Sequence, residues 1–438
     1  MTTHTSRFTP APAPSGKKRS SLDQVAERWV MSHLGRIEHG EIILIDAHKR
    51  SRFGTRAAAC DLSATIYVHD SRFYTELALG GSVGAGEAYM LGFWDTSDLT
   101  ALVRIMIRNQ AAMDGMEGGL ARWGSSVRKL AHWAHRNTRR GSRHNIAAHY
   151  DLGNDFFSLF LDCSMMYSCA IFASEDTSLE DAQRARLDVI GRKLQLERKD
   201  HLIEIGSGWG ALAIHAARFY GCKVTTTTIS RQQYELTRAR VKEAGLEHRV
   251  TVLQKDYRDL SGQFDKLVSI EMIEAVGHQY FDAYFRKCSA LLKPEGLMLL
   301  QAITIADQRY EAAKRSVDFI QRHIFPGSCI PSVSELCASA ARGSDMVPRN
   351  LEDIGPHYAT TLRHWRGNFT RNLEQIRALG YSESFIRMWE FYLRYCEGGF
   401  EERALGDVLM LFAKPGNRSV NPMPASRLSL PQIAQLHG

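Results

Sequence analysis

The chain has no apolar run near the length of about 18 residues that a bilayer-spanning helix needs. Its first twenty residues, MTTHTSRFTPAPAPSGKKRS, also lack the continuous apolar segment of a secretory signal peptide. The 438 residues are 44% hydrophobic and 24% charged, which is enough apolar material for a full core and excludes a disordered or fibrous protein. We therefore predict a cytoplasmic protein of two or three globular domains.

The cysteines lack the spacings of a metal site. None of the eight forms a Cys-x-x-Cys pair, and none has the Cys/His spacing of a zinc ligand set. Neither a metal centre nor a disulfide framework is predicted. Most of the thiols are expected to be reduced and structural.

Acidic residues are missing from 118–150, although the whole chain has 48 of them against 55 basic ones. The same segment has seven Lys or Arg side chains and includes Trp133. Its apolar residues recur at helical spacing: Leu120, Trp123, Val127, Leu130 and Ala134. The pattern predicts a basic amphipathic linker helix. Its charged face is either solvated or in contact with a membrane surface or a nucleic acid.

Short apolar strands alternate with helices from about residue 200. The predicted strands are 202–205, 223–229, 249–253, 266–272 and 297–305, and the predicted helices are 211–220, 231–244 and 280–292. This alternation indicates βαβ units, so we predict an α/β fold with a parallel, doubly wound sheet. Residues 21–117 mix helix-like and strand-like segments and are predicted as a small N-terminal α/β domain.

A glycine-rich turn follows the strand 202–205 and leads into a helix. This arrangement lets a ligand approach backbone N–H groups at a helix N-terminus. Gly206, Gly208 and Ala211 fit the dinucleotide pattern G-x-G-x-x-A, but the acidic residue expected about 20 residues later is missing. Glu204 before the turn and Asp256, placed to meet an adenine edge, favour S-adenosylmethionine. NAD remains the alternative at this point.

Nine motifs extend the analysis beyond a generic nucleotide-binding turn. They are Tyr150-Asp-Leu-Gly-Asn-Asp-Phe-Phe157, Met166-Tyr-Ser-Cys-Ala170, Ile205-Gly-Ser-Gly-Trp-Gly210, Thr228-Ile-Ser-Arg-Gln-Gln233, Lys255-Asp-Tyr-Arg-Asp-Leu260, Glu274-Ala-Val-Gly277, Ile324-Phe-Pro-Gly-Ser-Cys-Ile-Pro-Ser332, His357-Tyr-Ala-Thr-Thr-Leu362 and Tyr395-Cys-Glu-Gly-Gly-Phe400. In this order they closely resemble the cyclopropane-fatty-acyl-phospholipid synthase family, which includes the mycolic-acid cyclopropane synthases. The resemblance spans roughly residues 60 to 415 and implies a Rossmann-like class I methyltransferase sheet with helical insertions.

The resemblance implies transfer of a methyl(ene) group from S-adenosylmethionine to the cis double bond of a phospholipid acyl chain. The product is a cyclopropane fatty acid, and bicarbonate held by Cys, Glu, His and Tyr takes the proton. Cys169, Glu274 and Tyr358 match three of these residues, whereas Gln301 stands at the His position and Ala275 replaces a second His. Because Gln cannot take up a proton, a methylene- or methyl-branched product is the alternative.

The resemblance and the strand pattern together predict a set of contacts with S-adenosylmethionine. They are Tyr167, Ser168, Glu204, Gly206, Ser207, Gly208, Trp209, Gly210, Thr228, Ile229, Ser230, Gln233, Asp256, Tyr257 and Arg258. Cys396 matches a family cysteine once considered catalytic. We interpret it as structural, because the chemistry needs no thiol nucleophile.

From the implied phospholipid substrate we predict how the protein contacts the membrane. Exposing an acyl chain of about 18 carbons to water would cost on the order of 14 kcal/mol, so the chain must pass directly from bilayer to protein. Each Lys or Arg near an anionic surface contributes about 1 kcal/mol, so the segment 118–150 is expected to hold the protein at the inner leaflet of the cell membrane. The resemblance also suggests a homodimer.

Two other function classes fit less well. A nucleic-acid methyltransferase would show a Pro-Pro-Tyr-type or Cys-nucleophile motif. The sequence has neither motif, so no nucleic-acid partner is predicted. A lipid-binding protein without activity would have lost the glycines of the cofactor turn, which are intact. We divide the chain into a disordered tail at 1–20, the α/β domain at 21–117, the linker at 118–150, a methyltransferase domain at 151–415 and a second disordered tail at 416–438.

Overall fold

The structure is a computed structural model that describes residues 20–110 and 152–419. The predicted linker at 118–150 and most of the two predicted tails lie outside these described residues. No helix within the two ranges is both long enough and apolar enough to cross a membrane. The described residues form two compact units. The first contains 20–110, 316–324 and 370–404, and the second contains 152–315, 325–369 and 405–419.

The helices and strands of the described residues are numbered here in chain order. The helices are α1 Ser21–Leu34, α2 Arg72–Met90, α3 Leu99–Arg108, α4 Asn154–Ser158, α5 Leu179–Lys193, α6 Ala211–His215, α7 Arg231–Glu243, α8 Phe281–Leu291, α9 Asp307–Ala313, α10 Phe319–His323, α11 Val333–Gly343, α12 Gly355–Arg371, α13 Leu373–Ala378 and α14 Glu383–Glu401. The strands are β1 Gly40–Ile45, β2 Arg50–Thr55, β3 Ser63–Val68, β4 Trp94–Thr96, β5 His201–Ile205, β6 Lys223–Thr228, β7 Val250–Gln254, β8 Phe264–Ile270, β9 Leu292–Ile305, β10 Val347–Asp353 and β11 Leu405–Ala413.

The first unit contains a four-stranded sheet in the order β2-β1-β3-β4. Strand β1 runs antiparallel to β2 and parallel to β3. Helix α2 includes the glycine-rich stretch and bends at Gly81, whose φ of 58° favours glycine. Gly86 allows a close approach in the same unit, since a Cβ there would lie 2.4 Å from the Phe319 ring. The predicted small α/β domain is thus confirmed as a fold.

The second unit contains a seven-stranded sheet in the order β10-β11-β9-β8-β5-β6-β7. The five strands from β9 to β7 are parallel, and β10 and β11 are antiparallel. The predicted doubly wound sheet is therefore confirmed. Helix α6 ends at His215 and a π-helical turn continues to Tyr220, where the sequence predicts one helix.

The chain order of this sheet locates the expected ligand crevice. From β5 the chain moves outward through β6 and β7, and it then returns to the other side of β5 to form β8 and β9. In such sheets the ligand binds beyond the carboxyl ends of the strands, where the order reverses. The residues after Ile205 and after Ile270 lie at this point.

The predicted domain boundaries differ from the packing units in one respect. Residues 316–324 and 370–404 fall within the predicted methyltransferase domain, yet they pack in the unit that contains the N-terminal sheet. Sequence ranges group residues by their order, whereas packing groups them by contact. The boundaries at 117 and 150 lie outside the described residues, and the predicted division stays a prediction.

Candidate active site

The glycine turn after β5 has the backbone that its sequence predicts. Gly206, Gly208 and Gly210 have φ values of 96°, 48° and 89°, where side chains other than glycine are strained. A Cβ on Gly206 would lie 3.5 Å from Met272 Cγ, and one on Gly210 would lie 2.8 Å from Thr237 Cγ2. A Cβ on Gly208 would meet nothing within 4 Å, so the turn is open at Gly208 and closely packed at Gly210, which fits a nucleoside-containing cofactor.

Aromatic residues of two motifs lie beside this turn. The Trp209 indole Nε1 donates a hydrogen bond to Asn154 Oδ1 at 2.7 Å, and its ring centroid lies 5.1 Å from that of Phe157. The Tyr167 ring centroid lies 5.5 Å from Phe157 and 5.2 Å from Trp365. The structure thus brings Tyr167 and Trp209, both predicted cofactor contacts, into one aromatic cluster.

The segment after β6 closes another side of the turn. The carbonyl oxygen of Thr227 accepts hydrogen bonds from the N–H groups of Gly206 and Ser207, at 3.0 and 2.9 Å. Thr228 Oγ1 donates to Gln233 Oε1 at 2.8 Å, and the Ser230 side chain caps helix α7. The predicted cofactor contacts at 228–233 therefore begin at the residue next to Thr227 in the chain, and the Thr227 carbonyl oxygen is what holds the glycine turn.

Two predicted acidic contacts lie in different environments. Asp256 accepts from Arg258 Nε at 2.8 Å and from Arg258 Nη2 at 2.6 Å, so its carboxylate is already paired with the neighbouring guanidinium. Glu204 is buried on β5 opposite Thr226, and burial raises its pKa to about 8. A neutral Glu204 at physiological pH is a hydrogen-bond donor as well as an acceptor. Contact of either residue with the cofactor stays a prediction.

Three of the predicted catalytic residues converge on a carboxylate that the sequence analysis missed. Tyr358 OH donates to Glu271 Oε2 at 2.6 Å, the backbone N–H of Cys169 donates to Glu271 Oε1 at 2.8 Å, and Gln301 Nε2 donates to the same oxygen at 2.8 Å. These donors come from α12, from the loop before α5 and from β9. They meet at Glu271, the first residue after β8.

Glu271 has an unusual backbone for a glutamate. Its φ is 46°, and its N–H donates to the carbonyl oxygen of Gln301 at 2.9 Å. It keeps part of its surface accessible, whereas Gln301 and Cys169 are fully buried. A non-glycine residue in this region costs free energy, and such residues cluster at functional sites. Its place at the carboxyl end of a central strand, where doubly wound sheets bind ligands, was the signal that could have identified it.

Gln301 links Glu271 to two further buried charged groups. Its Nε2 also donates to Asp407 Oδ2 at 2.9 Å, and its Oε1 accepts from Arg186 Nη1 at 3.0 Å. Both donor hydrogens and the acceptor oxygen of the amide are used. The amide therefore fixes the relative positions of two carboxyl groups and a guanidinium in the interior.

Glu271 and Asp407 are neighbouring carboxyl groups that share one proton, and we assign this proton to Asp407. Burial raises the pKa of Asp407 well above its ordinary value, and the charge of Glu271 raises it further. Burial also raises the pKa of Glu271, but the donors Tyr358 and Cys169 N–H and the charge of Arg186 act in the opposite direction. We therefore place the negative charge on Glu271, where three donors converge.

Glu274 lies in a different environment, on a short helical turn three residues further along. Its Oε1 accepts the N–H of Ile303 at 2.6 Å, and among the described residues Oε2 has no hydrogen-bond partner. Burial, followed by repulsion from Glu271, raises its pKa to about 8. Glu274 is thus largely an uncharged acid at neutral pH.

The two cysteines among the predicted site residues are both protonated thiols. Burial raises the pKa of Cys169 well above its ordinary value, and its Sγ contacts the carbonyl oxygens of Ala170 and Ile354 at 3.3 and 3.6 Å. Burial likewise raises the pKa of Cys396, which lies on α14 in the first unit. Neither environment favours the thiolate that a nucleophile requires.

The residues that the resemblance assigns to bicarbonate do not leave a vacant anion site. The Cys169 N–H, the Tyr358 hydroxyl and the Gln301 amide all donate to the Glu271 carboxylate. Ile303 N–H donates to Glu274. A second anion at the same donors would displace Glu271 and lie against its charge, so bicarbonate does not fit this cluster.

Comparison with known proteins gives a consistent set of relatives. Residues 137–409 match the family model described as mycolic acid cyclopropane synthetase. The chain is 36% identical over 358 residues to tuberculostearic acid methyltransferase UfaA1 of Mycobacterium tuberculosis, covering 79% of this chain and 83% of that protein. It is 38% identical over 343 residues to cyclopropane-fatty-acyl-phospholipid synthase of Escherichia coli, covering 78% and 85%. The crystal structure of mycolic acid cyclopropane synthase CmaA1 complexed with SAH and CTAB matches with a TM-score of 0.58 at 32% identity, over 62% of this chain and 98% of that chain.

Proposed function

The chain belongs to the mycolic acid cyclopropane synthetase family, and we propose that it converts the cis double bond of an unsaturated acyl chain in a membrane phospholipid into a cyclopropane ring. It is an S-adenosylmethionine-dependent methyltransferase. The observation that supports the proposed chemistry is the convergence of Tyr358, Gln301 and Cys169 N–H on the Glu271 carboxylate beside the glycine turn. The phospholipid substrate rests on the similarity to the Escherichia coli enzyme of that name.

S-adenosylmethionine, when bound, supplies an electrophilic methyl group. The turn from Gly206 to Gly210 and the segment from Thr228 to Gln233 are the residues proposed to hold it. Tyr167 and Trp209 add aromatic surface on the same side of the sheet. These residues would orient the cofactor through the fixed geometry of the turn.

Addition of a methyl group to an alkene leaves a positive charge on the acyl chain. The ionised Glu271 stabilises this charge, because a fixed carboxylate acts strongly where water is excluded. Tyr358 and Gln301 hold the carboxylate in one orientation, so little reorganisation is needed when the charge develops. The rings of Tyr167 and Trp365, whose centroids are 5.2 Å apart, offer cation–π surface to the same charge.

A methylene- or methyl-branched acyl chain is the second candidate product. The observation that favours it is Gln301, which is fully buried and uses its amide to join Glu271, Asp407 and Arg186. It cannot relay a proton as the histidine implied by the resemblance would. The relative named tuberculostearic acid methyltransferase is similar over a comparable length. In this variant a hydride shift precedes loss of the proton.

Access to lipid is proposed through the basic segment 118–150. Its seven Lys or Arg side chains and absence of acidic residues suit contact with anionic headgroups at the inner leaflet. A peripheral location and a homodimer are part of the same proposal. Reversible contact of this kind would let an acyl chain enter the protein without crossing water.

The test uses purified protein with S-adenosylmethionine labelled with carbon-13 in its methyl group. Vesicles of phosphatidylglycerol with cis-monounsaturated chains serve as substrate, and vesicles with saturated chains of equal length are the control. We expect label only in the unsaturated chains, as a ring CH₂ that NMR distinguishes from an exocyclic methylene or a methyl group. Absence of labelled acyl chains with folded protein would contradict the proposal.

A further inference from the structure

On the basis of the proposed function, we propose that Glu271 is the general base of the reaction, a carboxylate of the chain itself that makes a bound bicarbonate unnecessary. The resemblance assigns proton removal to a separate anion, and the sequence analysis did not identify Glu271. The carboxylate, its donors and its backbone point to the same assignment.

The contacts of Glu271 are those of an anion held in place. Oε1 accepts from Cys169 N–H and Gln301 Nε2, both at 2.8 Å, and Oε2 accepts from Tyr358 OH at 2.6 Å. Oε1 therefore uses both of its lone-pair sites, whereas Oε2 has one donor and retains a lone-pair site for a further proton. Because the donors come from three separate elements, the tertiary fold fixes the position of the carboxylate.

The backbone of Glu271 is strained in order to present this side chain. At φ 46° a glycine would be preferred, so the chain accepts a conformational cost to keep a glutamate here. The next residue, Met272, lies against the cofactor turn, since a Cβ on Gly206 would be 3.5 Å from Met272 Cγ. The carboxylate therefore stands at the carboxyl ends of β5 and β8, where the substrate and cofactor are expected to meet.

Among the acidic groups of the cluster, Glu271 is the one that we assign as ionised. Asp407 on β11 carries the shared proton, Glu274 is raised in pKa to about 8, and the buried Arg186 on α5 supplies a positive charge nearby. The thiol of Cys169 remains protonated. Glu271 also keeps accessible surface, unlike Asp407.

In the proposed reaction, methyl transfer is followed by loss of a proton and ring closure. The π electrons of the alkene form a C–C bond to the methyl carbon, and the S–C bond electrons leave with sulfur. A C–H bond of the added methyl group then breaks, its proton moves to a Glu271 oxygen, and its electron pair forms the second ring bond to the cationic carbon. The charge of the acyl chain is thereby cancelled, and Glu271 returns its proton to water before the next turnover.

Two substitutions separate the role of the carboxylate from its place in the fold. Glu271→Gln retains the shape but cannot accept the proton, and we expect it to lower kcat by about 100-fold or more, without rescue by added anions. Glu271→Gly relieves the positive φ and opens the donor cluster, and we expect formate or bicarbonate to restore its kcat by about tenfold or more. Gln195→Gly, which removes another non-glycine side chain at φ 52°, is the control for a new glycine.

Bicarbonate binding supplies a readout that does not depend on turnover. In carbon-dioxide-free buffer, carbon-13 bicarbonate should bind Glu271→Gly but neither the wild type nor Glu271→Gln. The pH profile adds a second signature: the acidic limb of wild-type kcat should be independent of added anions, whereas that of rescued Glu271→Gly should follow the pKa of the acid used for rescue. Bicarbonate-dependent wild-type activity, bicarbonate binding to wild type at this cluster, or full activity of Glu271→Gln would overturn the proposal.

Failure of the proposed function gives a different pattern. Wild-type protein would then label no acyl chain in the presence or absence of bicarbonate. The binding comparison would still decide whether Glu271 fills the anion position: no bicarbonate binding to Glu271→Gly would overturn that assignment, whatever the substrate.

Discussion

Glu271 and Glu274, three residues apart after β8, occupy contrasting environments. Glu271 receives three donors and keeps part of its surface accessible, whereas Glu274 is buried with one backbone donor and a pKa raised to about 8. Environments that separate the properties of two nearby carboxyl groups are a feature of acid–base sites. We infer that Glu271 acts in its ionised form and that Glu274 acts as a neutral hydrogen-bonding group.

The buried Glu204 should make the stability of the protein depend on pH. Its pKa is raised to about 8 by burial, against about 4.3 in an unfolded chain, so the stabilisation is complete below pH 4.3 and is lost as the pH rises through 8. Wild-type stability should fall relative to Glu204→Gln by up to about 1.4 kcal/mol per pH unit in this window. Urea unfolding at several pH values measures how steeply the free energy of unfolding changes with pH in wild type and in Glu204→Gln. The exposed Glu235→Gln is the control, and equal slopes for wild type and Glu204→Gln would contradict the assignment.

The thiol of Cys169 should be dispensable for the chemistry. Its backbone N–H, which any residue except proline supplies, donates to Glu271, and its buried Sγ contacts the carbonyl oxygens of Ala170 and Ile354. We expect Cys169→Ala to keep activity within about tenfold of wild type, measured as kcat on labelled vesicles, because no thiolate nucleophile is lost. Cys222→Ala, at another buried cysteine, is the control. A loss of about 1000-fold for Cys169→Ala alone would indicate a covalent role.

Single residues could be selected from the sequence where they lie in a motif or at a position that the resemblance assigns, and their catalytic roles stay predictions. Cys169, Gln301 and Tyr358 were each identified, and the structure brings them to one point. Glu271 and Asp407 were missed, since a lone acidic residue in a sequence is most often on the surface. Their roles depend on pairing between β8, β9 and β11, which no local pattern contains.

At the scale of elements, strand register assembles the site. Gln301 on β9 is paired with Ile270 on β8 and with Leu409 on β11, while Asp407 is paired with Ile303. Side chains two positions apart on neighbouring strands share a face, so Gln301 reaches Asp407 on β11. On the other side Gln301 reaches Glu271, which directly follows Ile270 at the end of β8. A slip of one residue in either pairing would turn the amide away from the cluster.

Strands whose sequence alternates with helices were predicted within a few residues, because their apolar runs are bounded by turn residues. Strands β10 and β11 were not predicted. The sequence of β10, VPRNLED, is largely exposed and has little apolar pattern, and β11 follows a long helix without a βαβ context. Long-range antiparallel pairing to β9 is what makes both of them strands.

A buried arginine helps to attach helix α14 within the first unit. Arg387 donates to the carbonyl oxygens of Tyr89 and Trp94 at 2.5 and 2.9 Å, and to Asp95 Oδ1 at 2.8 Å. We expect Arg387→Met to lower the free energy of unfolding by about 3–5 kcal/mol, since buried acceptors lose their partner. Arg377→Met, which breaks more exposed ion pairs, should cost under about 1 kcal/mol. Denaturant titration compares them, and equal losses would contradict the role of Arg387.

For the whole molecule, charge distribution matters more than net charge. The formal net charge is only +7, yet seven basic side chains fall within 118–150. We expect Arg139→Gln, Arg140→Gln and Arg143→Gln together to weaken binding to anionic vesicles by about 1 kcal/mol for each charge removed. Cosedimentation at low and high salt measures this, with Arg231→Gln and Arg315→Gln as control changes elsewhere. Equal binding to neutral vesicles would contradict electrostatic attachment.

The proposed activity is methylation of the acyl chains of membrane phospholipids. A direct test expresses the chain in a host that lacks its own cyclopropane synthase, supplies methionine labelled in its methyl group, and analyses the hydrolysed lipids by mass spectrometry. We expect labelled acyl chains that have gained one CH₂ unit as a cyclopropane ring. A labelled branched chain would transfer the assignment to the second product, and unlabelled acyl chains in cells containing folded protein and abundant unsaturated lipid would contradict the proposed activity.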